Sequence, residues 1–345
     1  MSALQFELPQ RLEAHEPPEA RGLARDDVRL LVASGRDGRI THARFRDLPA
    51  FLAPGDLVVV NTSATLAAAL PAERASDGWQ LELRLSTPAP HRVADQWWIV
   101  ELRATDRPFL SGRECDELLL PGGGRATIVA PYAGGRRLWL AKLELPEPLA
   151  DYLERHGHPI RYSYVPREWP LGAYQNSYAV EPGSAEMASA GRPLTAELVT
   201  QLVARGIHVA PVTLHTGVSS PERGEAPYAE RYRVPESTAR LVNAVHRWGG
   251  RVIAVGTTVV RALESVADPD GTVAAGEGWT NLVIDATRGV HAVDGLVTGW
   301  HEPEASHLEM LRALASEELL DRCYHEALEH GYLWHEFGDS HLILP

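Results

Sequence analysis

The run RVIAVGTTVVRALES, Arg251 to Ser265, joins a short apolar segment to an amphipathic one through Gly256, Thr257 and Thr258. Val252 to Val255 suit a central strand, Gly256 lets backbone or a ligand come close, and Thr257 or Thr258 is placed to cap the helix that follows. Free N–H groups at a helix start, together with the helix dipole, favour a carboxylate or phosphate, with Arg261 about one turn further along. Many α/β proteins carry such a turn with no ligand, so the local pattern allows both readings.

A second candidate is PVTLHTG, Pro211 to Gly217, in which His215 ends a strand at the sheet edge where open α/β folds hold ligands. His215 could act there as base or donor, and Glu230 in the APYAERY loop is the nearest carboxylate able to orient it. A histidine merely hydrogen-bonded at a strand end fits the same pattern. The loop GSAEMASAGRPLT, Gly183 to Thr195, is small enough in its side chains to lie against a ligand, though such loops are also simply flexible. In TGWHEPEASH, His301-Glu302 starts as a metalloprotease motif does, but the position four residues after His301 is Ala305, so no zinc is expected there. HGH at His156 to His158 reads as a helix end rather than a metal site. There is no GxSxG elbow, Walker loop or GxGxxG fingerprint, and Gly122-Gly123-Gly124 lies in a β-rich stretch as a turn.

The elements that must position these residues divide into two kinds. DVRLLVA, GRITHARF and LVVVN (Leu57 to Asn61) read as strands, and from Thr195 helices and strands alternate: TAELVTQLVARG, IHVAPVTLH, ESTARLVNAVHRWGG, RVIAVG, TVVRALES, NLVID and GLVTG. That alternation predicts an α/β layer with a largely parallel sheet. Two further helices are expected around His307 to Ala315 and Glu317 to His330, and a last strand in FGDSHLILP. Between Pro71 and Leu145 the pattern changes to short strands such as LELRLS, QWWIVELRA, RATIVA and RRLWLAKLEL, separated by Gly, Pro and Asp. Their spacing predicts a small antiparallel barrel or sandwich inserted into the larger unit. The expected organisation is therefore a discontinuous α/β domain, residues 1–70 plus 146–345, interrupted by a β domain at 71–145.

A chain of 345 residues, 44% hydrophobic, can form more than one core. Cys115 and Cys323 are too far apart in sequence to suggest a disulfide framework or cysteine zinc site, which fits a reducing cytoplasm. No apolar run reaches membrane-spanning length and no basic-then-apolar leader opens the sequence. The net charge of -13 excludes non-specific polyanion binding over the whole surface but leaves room for a local basic groove. Candidates for it are His156, His158, Arg161 and Arg167 with interleaved Tyr162, Tyr164 and Trp169, and the Arg136-Arg137 pair, a combination suited to stacking on an unpaired base and equally to an ordinary loop surface.

Taken in order, several segments resemble the S-adenosylmethionine:tRNA ribosyltransferase-isomerases of queuosine biosynthesis. They are Leu8-Pro9, RLLV at Arg29 to Val32, PGDLVVVN at Pro54 to Asn61, YQ..YA at Tyr174 to Ala179, VTLH.G at Val212 to Gly217, AVGTT..R.LES at Ala254 to Ser265, LVTG.H.P at Leu296 to Pro303 and GD..LI at Gly338 to Ile343. The resemblance implies a large α/β domain interrupted by a small β-barrel, and S-adenosylmethionine used as ribosyl donor with no further cofactor and no metal. In the family the aminomethyl group of a 7-deazaguanine base in tRNA attacks the ribose, adenine and methionine leave, and the sugar becomes the epoxycyclopentanediol of epoxyqueuosine. Such chemistry needs removal of a proton from the carbon beside the sulfonium, support for departing adenine, and exclusion of water. The resemblance implies His215, Glu230 and His301 as catalytic residues. It places S-adenosylmethionine against Tyr174, Gln175, Gly191, Thr213, Gly217, Gly256, Thr257, Thr258 and Arg261, and an acceptor against Arg161, Tyr162 and Arg192.

The sequence also departs from the family pattern. Asn61, Thr62, Ser63, Ala64 and Ala69 stand where the family has an acid and two arginines. Ala188 to Thr195 lose a histidine and gain Arg192, Tyr228 replaces a histidine, and Glu304 replaces a lysine. Lost cations weaken a polyanionic partner. Three readings follow: a divergent tRNA enzyme, a paralogue using the same pocket on a small-molecule acceptor or as a lyase, and a non-catalytic S-adenosylmethionine or nucleoside binder.

Overall fold

The computed structural model describes residues 6–90, 92, 96–105, 107–218, 227–303 and 306–345. The strands are β1 (Arg29–Ser34), β2 (Ile40–Arg44), β3 (Leu57–Asn61), β4 (Ser63–Thr65), β5 (Ala69–Arg74), β6 (Gln80–Pro88), β7 (Trp97–Ala104), β8 (Arg107–Pro108), β9 (Glu117–Leu119), β10 (Arg125–Pro131), β11 (Leu138–Glu144), β12 (Glu181–Ser184), β13 (His208–Leu214), β14 (Glu230–Val234), β15 (Val252–Val255), β16 (Gly276–Thr280), β17 (Gly295–Gly299) and β18 (Ser340–Leu344). The helices are α1 (Leu149–His156), α2 (Ala196–Ala204), α3 (Glu236–Trp248), α4 (Thr257–Glu264), α5 (Ser306–Arg312) and α6 (Glu317–Glu329).

The large sheet is 9-stranded, in the order β16-β14-β13-β3-β15-β17-β18-β1-β2. Its centre, β13-β3-β15-β17, is parallel, as alternating helices and strands require. Outward from that centre β14, β16 and β2 join antiparallel, and β18 runs antiparallel to β17 but parallel to β1. Parallel pairing is thus confined to the middle and one outer pair, and the sheet as a whole is mixed. Strand side chains alternate between two cores. Leu31, Leu57, Val59, Val252 and Ala254 pack with Val242 and Val245 of α3, Leu263 of α4 and Leu320 of α6. Leu30, Val32, Val58, Val60, Ile253 and Val255 pack on the other face with Leu198 and Leu202 of α2.

Strands β5, β6, β7, β11, β10 and β9 close into an antiparallel barrel through the β7–β11 pairing. Closure leaves those strands no free edge. The barrel core of Leu83, Val100, Ile128 and Ala141 continues into Ile160, Ala185 and Val218 of the larger unit, so the two parts share one packed interior. The parallel pair β4–β12 lies beside this junction.

Two local expectations are corrected. NLVID is not a strand; the strand is the preceding GEGWT, β16, while the Leu282 carbonyl accepts a bond from Arg261. Neither Thr257 nor Thr258 caps α4: Gly256 occupies the N-cap without a side-chain bond. By contrast α2 carries a side-chain cap, Leu198 N–H donating to Thr195 Oγ1 at 3.2 Å. No helix among the described residues is long and apolar enough to cross a membrane.

Candidate active site

A cavity of about 410 Å³ opens where the barrel meets the large sheet. The barrel contributes Ser86, Thr87 and Ile99, and the sheet contributes the turn Gly256-Thr257-Thr258 and the segment Thr298 to Glu302. Gly256 sits at φ +97°, ψ 151°, a region that only glycine occupies without strain. Asn61 fixes the surrounding strand ends. Its Nδ2 donates to Leu214 O at 2.8 Å and to Thr258 Oγ1 at 3.3 Å, while its Oδ1 accepts from Leu214 N and Ser63 N. One buried amide thereby ties β3, β13 and the start of α4 together.

Glu230 and Arg261 both reach the wall as an ion pair. Glu230 also accepts from Gly217 N–H at 2.9 Å. Burial raises its pKa, against the opposing pull of the Arg261 guanidinium. Arg261 spends its remaining donors on the carbonyls of Leu282, Thr280 and Tyr228. The guanidinium that sequence set against the methionine carboxylate is thus engaged by Glu230 and three loop carbonyls.

His301 lines the cavity with Nε2 2.9 Å from Thr298 Oγ1, and its ring lies parallel to that of His307, centroids 4.7 Å apart. Desolvation holds His301 well below the ordinary histidine range, and it lowers His307, though that residue keeps an exposed surface, to about 4. Both are neutral imidazoles at pH 7. Opposite them, Tyr162 donates to Glu186 and Tyr164 donates to Glu336 Oε2 at 2.6 Å. His335 stacks on Tyr164 at 3.8 Å. Burial lifts Glu336 to about 7 and lowers His335 to about 4. Four lining residues, Thr87, Tyr174, Trp300 and His335, carry a buried polar atom that makes no hydrogen bond within the protein. Such atoms cost about 1–3 kcal/mol each unless something bonds them.

Of the expected site residues, the structure brings Glu230, His301, Tyr174, Gly217, Gly256, Thr257, Thr258, Arg261 and Tyr162 to this cavity. His215 is not on its wall. The His215 Nδ1 bonds Ser63 Oγ at 2.7 Å behind β4 and β12, and the ring packs against Gly183, where a Cβ would lie 2.4 Å from Nδ1. Thr213 is likewise off the wall, sharing a 3.3 Å hydroxyl contact with Thr62. Gln175 pairs with the backbone of Thr65 through Oε1 and Nε2, and Gly191 passes so close to Tyr178 that a Cβ would lie 2.0 Å from its hydroxyl. None of these four residues is on the cavity wall.

Of the expected acceptor contacts Tyr162 lines the cavity, whereas Arg161 and Arg192 are absent from its wall. Arg192 is buried, donating to both oxygens of Glu19 and to Ala173 O, and Arg161 donates to Val165 O. Arg137 is paired with Glu101 inside the barrel, and Arg167 lies 3.8 Å over Trp169. His158 bonds Glu82 at 3.0 Å, in keeping with a structural HGH turn. Tyr228 does reach the cavity, whereas Glu304 lies outside the described residues. Sequence reasoning missed Glu186, His307, His335 and Glu336 as site residues. The signal for the last two was the HEFGD segment, where a histidine and a carboxylate precede the glycine turn of the final strand.

A mixed sheet joined to a closed barrel over a polar cavity defines an α/β protein with an inserted barrel and a site at the junction. The chain belongs to the queuosine biosynthesis protein family, whose model matches residues 1–343. It is 37% identical to an S-adenosylmethionine:tRNA ribosyltransferase-isomerase of Symbiobacterium thermophilum, over 100% of this chain and 99% of that one. It is 34% identical to the protein of the same name in Geobacter sulfurreducens, over 98% of each. The crystal structure of S-adenosylmethionine tRNA ribosyltransferase from Thermotoga maritima is similar at a TM-score of 0.55 and 29% identity, covering 99% of this chain and 100% of that one.

Proposed function

We propose that this protein is an S-adenosylmethionine-dependent ribosyltransferase-isomerase. It transfers the ribosyl group to a 7-aminomethyl-7-deazaguanine base in tRNA, forms epoxyqueuosine and releases adenine and methionine. The observation that carries the reading is the charge of the cavity. Glu186, Glu230, Glu302 and Glu336 line it, while Arg261 is the one arginine on the wall among the described residues and is already spent on Glu230. A wall with surplus carboxylate and the faces of Tyr162, Tyr164 and Trp300 suits a ligand bearing a sulfonium and an ammonium group. The methionine carboxylate meets the N–H groups at the start of α4, with Gly256 keeping that approach open.

Roles follow from protonation. Glu336, poised near 7, is the base for the proton beside the sulfonium. The neutral pair His301 and His307 offers a flat polar wall for adenine. Glu230 shapes the site through its bonds to Arg261 and Gly217. The 71–145 segment acts as an inserted domain that supplies one cavity wall, and a tRNA substrate places the activity in the cytoplasm. Incubation with S-adenosylmethionine, with and without tRNA carrying the aminomethyl-deazaguanine base, tests the proposal. Adenine and methionine released only with tRNA supports it; release without tRNA, or binding without turnover, overturns it in favour of a lyase-like paralogue or a sensor.

A further inference from the structure

Far along the sheet from the cavity, at its β2 edge, three side chains from separate elements meet. His42 projects from β2, while Glu326 and His330 lie one turn apart at the end of α6. One ligand-type atom from each lies within 4.8 Å of the other two. His42 Nε2 is 3.3 Å and His330 Nδ1 3.4 Å from the same oxygen, Glu326 Oε2. Zinc bonds to imidazole and carboxylate of about 2.0–2.1 Å give a tetrahedron whose edges are about 3.3–3.4 Å, so the two separations, those of ion pairs in the metal-free protein, also match the spacing of ligands around one ion.

The surroundings hold the three in place. The other ring nitrogen of His42, Nδ1, bonds Tyr332 Oη at 2.8 Å, which orients the ring and directs Nε2 toward Glu326. Arg29 donates to the carbonyls of His330 and Gly331 at 2.5 and 2.6 Å and fixes the backbone that carries His330. The Arg29 guanidinium itself faces the Tyr332 ring, 4.8 Å from its centre. His42 and His330 are exposed, their rings tilted by 36° with centroids 4.4 Å apart, so a fourth ligand can be water.

We propose that His42, Glu326 and His330 form a binding site for one divalent transition-metal ion of the zinc class, clamping the edge strand β2 to the end of α6. Binding the ion requires His330 Nδ1 to give up its 2.9 Å hydrogen bond with the main-chain carbonyl of Glu326. His42 and Glu326 are 284 positions apart in sequence, so a bound ion closes a long loop at the sheet edge.

Calorimetric titration of the full chain with ZnCl2, and visible absorption after loading with Co2+, tests the site. The wild type is expected to take up one equivalent with the absorption of a four-coordinate ion. His42→Ala and Glu326→Gln are expected to lose that equivalent, and Tyr332→Phe to weaken it about 10–100-fold by freeing the His42 ring. His301→Ala, in the cavity, is expected to keep it. Circular dichroism of each variant checks that the fold is retained; the His42 and His330 side chains are exposed, so His330→Ala serves as a second loss-of-ligand variant should Glu326→Gln unfold. Absence of saturable uptake by the wild type, or uptake that survives loss of His42, overturns the proposal.

Discussion

Arg261→Met is the perturbation that most directly tests how the cavity is built. In the wild type the buried Glu230 carboxylate is held by this guanidinium and by Gly217 N–H, and three carbonyls share the other donors. Removing one member of a buried pair costs about 3–5 kcal/mol, because the remaining charge is left uncompensated. An unfolding entropy of about 2.1 cal/mol/K per residue gives about 0.7 kcal/mol/K for a chain of 345 residues, so the expected fall in Tm is about 4–7 °C. Glu230→Gln in the same chain removes the stranded charge and recovers most of that loss, a coupling that a double-mutant cycle by scanning calorimetry measures. Were Arg261 a clamp for substrate carboxylate, the single variant would keep its Tm and lose S-adenosylmethionine affinity alone. An unchanged Tm, or no recovery in the double variant, refutes the reasoning.

Gly256→Ala places a side chain on backbone at φ +97°, at a cost of about 1–3 kcal/mol, and is expected to weaken S-adenosylmethionine binding at least about tenfold in calorimetry; unaltered affinity would detach the α4 turn from the ligand. Glu336→Gln is expected to abolish turnover, and in the wild type activity should fall as pH drops below about 7, when the base is protonated; a flat pH–rate profile would remove Glu336 from the proton transfer. The same group has a stability signature: its folded pKa of about 7 exceeds the ordinary glutamate value of 4.5, so its contribution is full below about 4.5 and lost as pH rises through about 7. Urea midpoints at pH 5 and pH 8 should therefore differ more in the wild type than in Glu336→Gln. His215→Gln is expected to leave kcat within about tenfold, since the ring lies behind the wall; complete loss of turnover would return the base to His215.

Much of the architecture was legible because it rests on short-range pattern. Val252 to Val255 are buried on both faces, so they read as an unbroken apolar run, and the barrel strands announce themselves by alternation and turn residues. Gly256 was recognisable because a glycine between a strand and a helix has few other reasons to be there. What sequence could not give was which polar groups converge. Tyr164, Glu186, His307 and Glu336 come from four separate stretches, and no spacing rule links them. Arg261 and Arg192 were read as ligand contacts because an arginine near a motif looks available. Whether it is already engaged, by Glu230 or Glu19, is decided by chain segments far away in sequence. The placement of His215 was hidden for a related reason: the strand ends at the expected edge, but the side chain that follows it turns toward Ser63 and Gly183.

The position of β18 between β17 and β1 bears on how the molecule is made. The β1–β2 hairpin emerges early during synthesis, yet its link to the remainder of the great sheet is a segment translated more than three hundred residues later. Until Ser340–Leu344 slot in, the hairpin's inner margin is an open template for stray pairing, and completion waits on a contact of very high sequence separation. Until that strand is made the seam stays unsewn, and the nascent chain is exposed to misassembly there.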